Sequence, residues 1–173
     1  QKVMTDSLPV KATFYGLAFD RQSNQLFSTG ANLNVIGRYK FSNGKLKYID
    51  SIHLGEQWPV RISPTGLYVD EKRRLLYVAT KEDSSFYQIS LNDVSQRQQW
   101  KLPSAGYGVV GDGADRVFVS HWGDASVGVF NVVLNRWEPK IMVGDNPNEM
   151  KYDAKGKRLF VACSDDNSVH VVH

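Results

Sequence analysis

The side chains best suited to chemistry in this sequence stand close together in one short segment, at His121, Trp122 and Asp124. An imidazole, an indole and a carboxylate in a single loop could hold a ligand by ring stacking and polar contacts. The segment falls between two predicted strands, and the corresponding parts of the chain, 81–85 and 164–167, carry ordinary polar turn residues. We therefore interpret it first as a turn, with ligand binding as the alternative.

The usual catalytic and metal-binding patterns are missing from the sequence. It contains no G-x-S-x-G nucleophile elbow, no H-E-x-x-H zinc motif and no phosphate-binding P-loop. Asp165, Asp166 and Asn167 lack the glutamate that completes a calcium loop, and the histidines show no ligand spacing. Cys163 is the single cysteine, which leaves neither a disulfide nor a C-x-x-C site. The sequence thus predicts no catalytic residue, no cofactor and no metal ion.

The composition points to an all-β protein. Of 173 residues, 12% are aromatic and 14 are glycine, and many aromatics stand in short β-branched runs bounded by turn residues. The net charge of +3 is too mild for the concentrated basic face that nucleic-acid binding requires. No apolar run approaches the roughly 20 residues that span a bilayer. Neither nucleic acid nor a membrane span is expected.

An internal repeat organises the chain. Aligning its strongest strand-like segments superposes Leu26, Leu76, Val117 and Leu159, at spacings of 50, 41 and 42 residues. A strand-like segment precedes each of these positions, a third run begins nine residues after each, and a fourth run precedes the next unit. The extra residues of the first unit fall in a longer hairpin at 42–46. Each unit therefore reads as four strands joined by turns.

Four antiparallel strands in a unit of about 42 residues are typical of a β-propeller blade. We predict an all-β protein, a β-propeller of about four blades with four antiparallel strands each, as a single domain over 1–173. The predicted blades cover approximately 10–55, 56–103, 104–144 and 145–173. Near-continuous apolar runs such as 75–78 fit this fold, because the central strands of a blade are covered on both sides. A β-sandwich is the alternative, although it would not require repeats in phase.

The four-strand units are offset by one strand relative to the ends of the sequence. The fourth unit stops at His173 after its third strand, whereas 1–9 stand where an outer strand would precede the first inner strand. An open arc would expose apolar faces, so we expect the arc to be completed by self-association or by a second fragment. A closed four-bladed ring is the less favoured alternative. In a ring of two copies, 1–9 of one chain would supply the outer strand of the other chain's last blade.

The last unit carries a family resemblance. VGDNPNEMKYDAKGKRLFVACSDDNSVHVV, from Val143, resembles the YVTN-type propeller repeat, and the segments from Leu75 and Arg116 are similar. The string LGEQWPVRISPTGLYVDEKRRLLYVATKEDSS, from Leu54, is similar to YncE-like propellers of bacterial proteins. In some of these, an alkaline-phosphatase-superfamily phosphoesterase domain follows. The resemblance covers nearly the whole chain and implies a propeller ring of seven or eight blades, of which this chain would be an internal portion. It implies the fusion to a phosphoesterase domain less strongly.

Strand direction divides the loops between two rims. One rim, with the loops that enter the inner strands, carries the candidate partner-binding residues Trp58, Arg61, Lys81, Tyr107, His121, Trp122, Asp124, Asn148 and Glu149. The opposite rim carries the basic residues Arg21, Lys72, Arg73, Arg74, Arg116, Lys155, Lys157 and Arg158. Acidic neighbours would offset this positive charge, so we disfavour polyanion binding there.

These observations favour a non-catalytic binding or scaffold module of a bacterial periplasmic or surface protein. Its partner would be a protein or a small molecule at the rim or in the central channel. The alternative is a metal-dependent hydrolase of the propeller lactonase or gluconolactonase kind. Such an enzyme needs acidic and amide side chains from several inner strands around a divalent cation. Asn148 with Glu149 is the one good pair that the inner strands offer.

Overall fold

In the computed structural model, residues 3, 4 and 6–173 are described, and they form fifteen β-strands in four separate antiparallel sheets. We call these sheets blades 1 to 4 in chain order. Blade 1 contains β1 (Leu17–Asp20), β2 (Gln25–Thr29), β3 (Val35–Ser42) and β4 (Lys45–His53). Blade 2 contains β5 (Pro64–Asp70), β6 (Leu75–Thr80), β7 (Ser85–Ser90) and β8 (Arg97–Lys101). Blade 3 contains β9 (Gly106–Gly111), β10 (Arg116–His121), β11 (Ser126–Asn131) and β12 (Arg136–Met142). Blade 4 contains β13 (Pro147–Asp153), β14 (Arg158–Cys163) and β15 (Ser168–Val172).

Each sheet lies within the corresponding predicted blade and is a simple meander, with every strand paired to its neighbours in sequence. A short 3-10 helix, Ala31–Leu33, joins β2 to β3. The extra residues of blade 1 lengthen the β3–β4 hairpin. Its turn residues Asn43 and Gly44 both have positive φ angles, which is the conformation that a two-residue hairpin turn requires.

The hydrophobic core is divided among the three interfaces between blades. Leu76 and Val78 of β6 pack against blade 1, whereas Tyr77 and Ala79 of the same strand pack against blade 3. A third cluster joins blades 3 and 4, with Val127 and Val161 among its members. Successive side chains of a strand point to opposite faces, so a strand covered on both sides needs apolar residues at every position. This explains the continuous apolar runs.

Close approach between inner strands depends on glycine. A Cβ atom added at Gly16 would lie 2.1 Å from the carbonyl oxygen of Thr65, and one added at Gly66 would lie 2.3 Å from that of Tyr107. The same addition at Gly108 would meet the carbonyl oxygen of Asn148 at 2.5 Å. These three glycines therefore allow each inner strand to lie against the inner strand of the next blade.

The residues before β1 form no strand within the described part of the chain. The predicted outer strand at 1–9 includes Gln1, Lys2 and Thr5, which lie outside the described residues. The following residues cross one face of blade 1, where 9–12 border a groove that Tyr39 and Tyr48 also line. The carboxylate of Asp6 accepts a hydrogen bond from the backbone N–H of Leu46 at 2.8 Å. This segment thus lies against the outer half of blade 1.

Candidate binding site at the mouth of the central groove

The inner strands of all four blades line one concave groove. Leu17 and Phe19 of β1, Leu67 and Val69 of β5, Val109 of β9 and Met150 of β13 are among its walls. The strands run in the same direction along the groove, so the residues that begin them gather at one end. We call that end the mouth, and it belongs to the rim on which the sequence places the candidate binding residues.

Three aromatic side chains form a row across the mouth. The ring of Tyr15 meets the ring of Tyr107 edge-on, with 5.8 Å between their centroids. Tyr107 in turn lies 6.0 Å from Trp122, whose indole is partly exposed. The hydroxyl of Tyr15 donates a hydrogen bond to the carboxylate of Glu149, which is itself exposed on β13. The row of Tyr15, Tyr107 and Trp122, together with Glu149, links blades 1, 3 and 4.

The two tyrosines occupy equivalent positions in the repeat. Asp20 ends β1 and Asp112 directly follows β9, and each accepts a backbone hydrogen bond from the turn that comes next. Tyr15 and Tyr107 stand at the same distance in sequence before these two aspartates. Each tyrosine immediately precedes one of the glycines that let inner strands approach, Gly16 or Gly108. Because the backbone is held close to the next blade at that point, the tyrosine side chain can extend towards the groove.

Trp58 and Arg61 form a second pair on the same rim, in the loop between blades 1 and 2. The guanidinium carbon of Arg61 lies 4.7 Å from the centre of the Trp58 ring, which is a cation–π contact. Lys81 lies in the loop after β6, where its ammonium is 4.0 Å from the carboxylate of Glu82. The described contacts connect neither Lys81 nor the Trp58–Arg61 pair to the aromatic row.

His121 lies beneath the rim rather than on it. The residue is only 3% exposed, and its Nδ1 is 3.1 Å from the hydroxyl of Ser126. Its Nε2 is buried and has no hydrogen-bond partner among the described residues. Burial lowers the pKa of this imidazole to about 4, although the charge of Asp124 opposes the shift. His121 is therefore neutral at physiological pH and is not available to a ligand.

Asp124 belongs to the same turn. Its carboxylate accepts a hydrogen bond from Ser126 at 2.6 Å and forms an ion pair with Lys140 at 2.7 Å. The hydrogen bond from Lys140, followed by that from Ser126, holds the pKa of this carboxyl below its usual value. These contacts tie the β10–β11 connection to the outer strand β12. Of the three residues that first suggested chemistry, only Trp122 takes part in the aromatic row.

Asn148 and Glu149 begin the inner strand of blade 4. The backbone oxygen of Asn148 accepts a hydrogen bond from the Ser120 hydroxyl at 2.9 Å, and its side-chain oxygen is buried with no partner in the described part of the chain. Glu149 also lies 3.4 Å from the ammonium of Lys151. Over residues 3, 4 and 6–173, no three His, Cys, Asp or Glu side chains are grouped so that they could hold a metal ion.

On the opposite rim, ion pairs occupy several of the basic residues. Arg74 binds the buried carboxylate of Asp20 in blade 1 at 2.8 Å. Arg73 binds Asp70 of its own blade at 2.9 Å and Asp115 of blade 3 at 2.7 Å. These contacts join neighbouring blades and reduce the positive charge that this rim presents.

Tyr15 is the member of the site that was not among the sequence-based candidates. The signal that could have found it is its alignment with Tyr107 in the repeat, directly before Gly16. That alignment shows that Tyr15 and Tyr107 are equivalent in the repeat. The distance between their rings depends on the angle between blades, which cannot be derived from the sequence.

Comparison with solved structures identifies the architecture. A putative 6-phosphogluconolactonase from Bacteroides uniformis superposes with a TM-score of 0.73 at 14% identity, covering 91% of this chain and 49% of that chain. A streptogramin B lyase superposes with a TM-score of 0.73 at 14% identity, covering 98% and 54%. A chain of a nidogen/laminin complex superposes with a TM-score of 0.76 at 17% identity, covering 95% and 62%. The fold is a β-propeller.

The three propellers show the fold of this chain and not its activity, because all are less than 25% identical to it. This chain spans less than two thirds of the length of each one. No family model and no curated protein matches the sequence. Among the described residues, none belongs to a helix that is long and apolar enough to cross a bilayer.

Proposed function

We propose that this propeller is a non-catalytic binding module whose ligand is held at the mouth of the central groove. The observation that carries the proposal is the aromatic row of Tyr15, Tyr107 and Trp122 with the carboxylate of Glu149 at its end. Ring faces and a carboxylate together attract positively charged groups, by cation–π contact and by ion pairing. The ligand class that fits is a peptide or small molecule presenting a cationic group.

The charges around the row support this ligand class. Lys151 is the cation paired with Glu149. Because both side chains are largely exposed, this ion pair contributes little to the free energy of folding. An arriving guanidinium or ammonium group could therefore replace Lys151 at the carboxylate. The neighbouring loops of blade 4 add the exposed carboxylates of Asp165 and Asp166, which would attract a cation from a distance.

The propeller family and the cellular compartment of the module are part of the same proposal. The repeat from Val143 supports a YVTN-type, YncE-like propeller of a bacterial periplasmic or surface protein, in which a phosphoesterase domain could accompany it. Its partner would be a protein or a small molecule, without nucleic acid or a membrane span. The absence of a second cysteine beside Cys163 is compatible with such a compartment and does not require it.

Calorimetric titration with a tetra-arginine peptide tests the proposal. We expect binding that Glu149→Gln and Tyr107→Leu each weaken about tenfold, a loss of about 1.4 kcal/mol. Glu71→Gln is the matched control, because Glu71 lies on the opposite rim and accepts a backbone hydrogen bond from Arg21. Tetra-glutamate should not bind. Absence of tetra-arginine binding, or binding that neither mouth variant weakens, would contradict the proposal.

The alternative function is a metal-dependent lactone hydrolase, and the pair of Asn148 and Glu149 is the observation that favours it. The buried side-chain oxygen of Asn148 has no partner among the described residues, so it could accept a ligand bond. Lactone hydrolysis measured with added Ca²⁺ or Zn²⁺ distinguishes the two functions. A metal-dependent rate that Glu149→Gln abolishes would replace the binding module with the enzyme.

A further inference from the structure

An exposed apolar turn stands on the rim opposite the mouth. The turn joins β11 to β12, and Val133 and Leu134 at its tip are 62% and 55% exposed. The side-chain oxygen of Asn131 accepts hydrogen bonds from the backbone N–H groups of both residues, at 3.1 and 2.9 Å. Asn135 follows with a positive φ angle of 51°. Local contacts therefore fix the backbone of this turn and leave its two apolar side chains in water.

Blade 2 begins the corresponding turn in the same way with polar residues. Between β7 and β8, the hydroxyl of Ser90 accepts hydrogen bonds from the backbone N–H groups of Asn92 and Asp93, at 3.3 and 3.2 Å. Ser90 thus takes the place of Asn131, and the two residues that it caps take the places of the apolar pair. Because such a turn folds without apolar side chains, their exposure in blade 3 points to a partner outside the chain.

The rim that carries this turn is positively charged. It comprises seven turns, each counted from the last residue of one strand to the first residue of the next: 20–25, 42–45, 70–75, 90–97, 111–116, 131–136 and 153–158. These turns contain eleven Lys and Arg residues and seven Asp and Glu residues, a net charge of +4, compared with +3 for the whole chain. The positive charge of the protein is therefore concentrated on this rim.

Ion pairs on this rim leave several cations unneutralised. Arg73, Arg74 and Arg158 are paired with carboxylates of the same turns. Arg136 begins β12 directly after the apolar tip, and Arg116 faces Asn131 across the β10–β11 pair, so cations flank the two apolar side chains. Over the described part of the chain, six exposed cations of these turns form no ion pair: Arg21, Lys45, Lys72, Arg136, Lys155 and Lys157.

We propose that the rim opposite the mouth docks on the surface of an anionic lipid bilayer. Val133 and Leu134 enter the boundary between headgroups and acyl chains, and the Lys and Arg side chains of the turns contact the negatively charged headgroups. In this orientation the mouth faces away from the bilayer, so docking leaves the proposed ligand site free.

The size and chemistry of this surface favour lipid over other partners. A stable protein interface buries about 800 Å² on each partner, far more than two side chains at the tip of one turn supply. A nucleic acid would pair with the cations, but its phosphate backbone offers no apolar layer to Val133 and Leu134. An anionic bilayer accepts both the charges and the apolar tip.

Flotation with phospholipid vesicles tests the docking. We expect the chain to float with vesicles of phosphatidylcholine containing about 30% phosphatidylserine in about 0.1 M salt, and not with phosphatidylcholine alone. Replacing the tip by Val133→Ser with Leu134→Ser should lower the membrane partition coefficient at least about tenfold, because the apolar contribution is lost. Lys155→Gln with Lys157→Gln should lower it about 30-fold, because each cation near an anionic surface strengthens binding several-fold.

Met142→Ser and Lys101→Gln are the matched controls. Met142 is 63% exposed at the mouth end of the same strand β12, and Lys101 is exposed at the mouth end of β8. Both variants should partition as the wild-type chain does, and circular dichroism should show the same strand content in every variant. The proposal is overturned if the wild-type chain does not float with the anionic vesicles. It is also overturned if either double variant partitions like the wild-type chain, or if the controls lower partitioning as much.

Two further measurements exclude other occupants of this rim. Fluorescence anisotropy with a short DNA duplex should show weaker binding than the anionic vesicles do, and equal affinity for the duplex would overturn the proposal in favour of a general polyanion surface. Light scattering should give the serine double variant the same mass as the wild-type chain. A two-chain mass that only this variant loses would assign the tip to a second copy. Glu149→Gln should leave flotation unchanged, so docking and ligand binding are tested separately.

Discussion

At the scale of single residues, the loop with His121, Trp122 and Asp124 divides its roles between the surface and the interior. Trp122 extends the aromatic row, while His121 and Asp124 hold the turn through Ser126. The ring of His121 faces Trp137 at a centroid distance of 6.2 Å, and a Cβ atom at Gly128 would lie 2.7 Å from it. An imidazole enclosed in this way has no water to solvate a positive charge.

The burial of His121 predicts a loss of stability in acid. Its pKa is about 4 in the folded chain and about 6.5 when unfolded, so the unfolded state binds the extra proton between those values. Stability is therefore full above about pH 6.5 and falls as the pH drops towards 4. At pH 5 the loss should be about 2 kcal/mol. Urea unfolding at pH 7.5 and pH 5 measures it, and His121→Asn should reduce the difference.

The exposed His53 provides the control for this prediction. His53→Asn should show the same fall in the free energy of unfolding between pH 7.5 and pH 5 as the wild-type chain. If His121→Asn also shows the full wild-type fall, the acid sensitivity arises elsewhere, and the imidazole is not the group responsible.

At the scale of strands and blades, one local device recurs. An aspartate stands at the end of each inner strand, or directly after it in blade 3, and accepts backbone N–H groups of the following turn. These residues are Asp20, Asp70, Asp112 and Asp153. Such side-chain bonds stabilise tight turns independently of the rest of the fold. The buried Asp20 also receives Arg74 from blade 2. Burial raises the pKa of the Asp20 carboxyl, but the hydrogen bonds from Ser23 and Arg74 outweigh it and hold this pKa below its usual value.

Packing between inner strands predicts that Gly66 tolerates no side chain. Gly66→Ala would place a Cβ atom 2.3 Å from the Tyr107 carbonyl oxygen and 2.7 Å from the Val109 nitrogen, both backbone atoms of the next blade. We expect a loss of about 2 kcal/mol or more in the free energy of unfolding, because the two blades must move apart.

Gly123→Ala is the matched control for this substitution. Its added Cβ would meet only Ser104, at 3.5 Å, which is an ordinary contact. Thermal and urea unfolding of both variants should show a change within about 0.5 kcal/mol for Gly123→Ala. Equal effects at the two glycines would show that the inner strands do not require this close approach.

At the scale of the whole molecule, stability is shared among three interfaces. Blades 2 and 3 are covered on both faces, and the cluster between them includes the stacked rings of Tyr77 and Phe86, 5.6 Å apart. Blades 1 and 4 are each covered on one face by a neighbouring blade. In arrays of this kind each unit is stabilised mainly by contacts with its neighbours. The end blades of a single chain are therefore expected to be its least stable parts.

Hydrogen exchange followed by mass spectrometry can measure this gradient. Backbone amides of β6, β7, β10 and β11 should exchange slowest, because blades 2 and 3 are covered on both faces. Those of β14 and β15 should exchange at least about tenfold faster, because local opening of an end blade breaks one interface and not two. Uniform protection across all four blades would mean that the chain unfolds as a single cooperative unit.

The sequence by itself determined the strands, the turns and the repeat of this protein. The continuous apolar run along Leu75–Thr80 and turn residues such as Asn43 and Gly44 are local features that involve only a few neighbouring positions, so they can be recognised in the sequence. The repeat spacing then identified the propeller. Of the nine candidate rim residues, the structure brings Tyr107, Trp122 and Glu149 together, adds Tyr15, and buries His121.

Only the tertiary structure decided which side chains meet, because that depends on the angle between blades and the width of the groove. Tyr15 and Glu149 are 134 residues apart, and no local pattern relates the hydroxyl of one to the carboxylate of the other. The same is true of exposure. Val127 and Val169 have the same place in the repeat, yet one is buried and the other is open, because a neighbouring blade covers the first. A repeat in sequence specifies the unit, and the contacts between units specify the site.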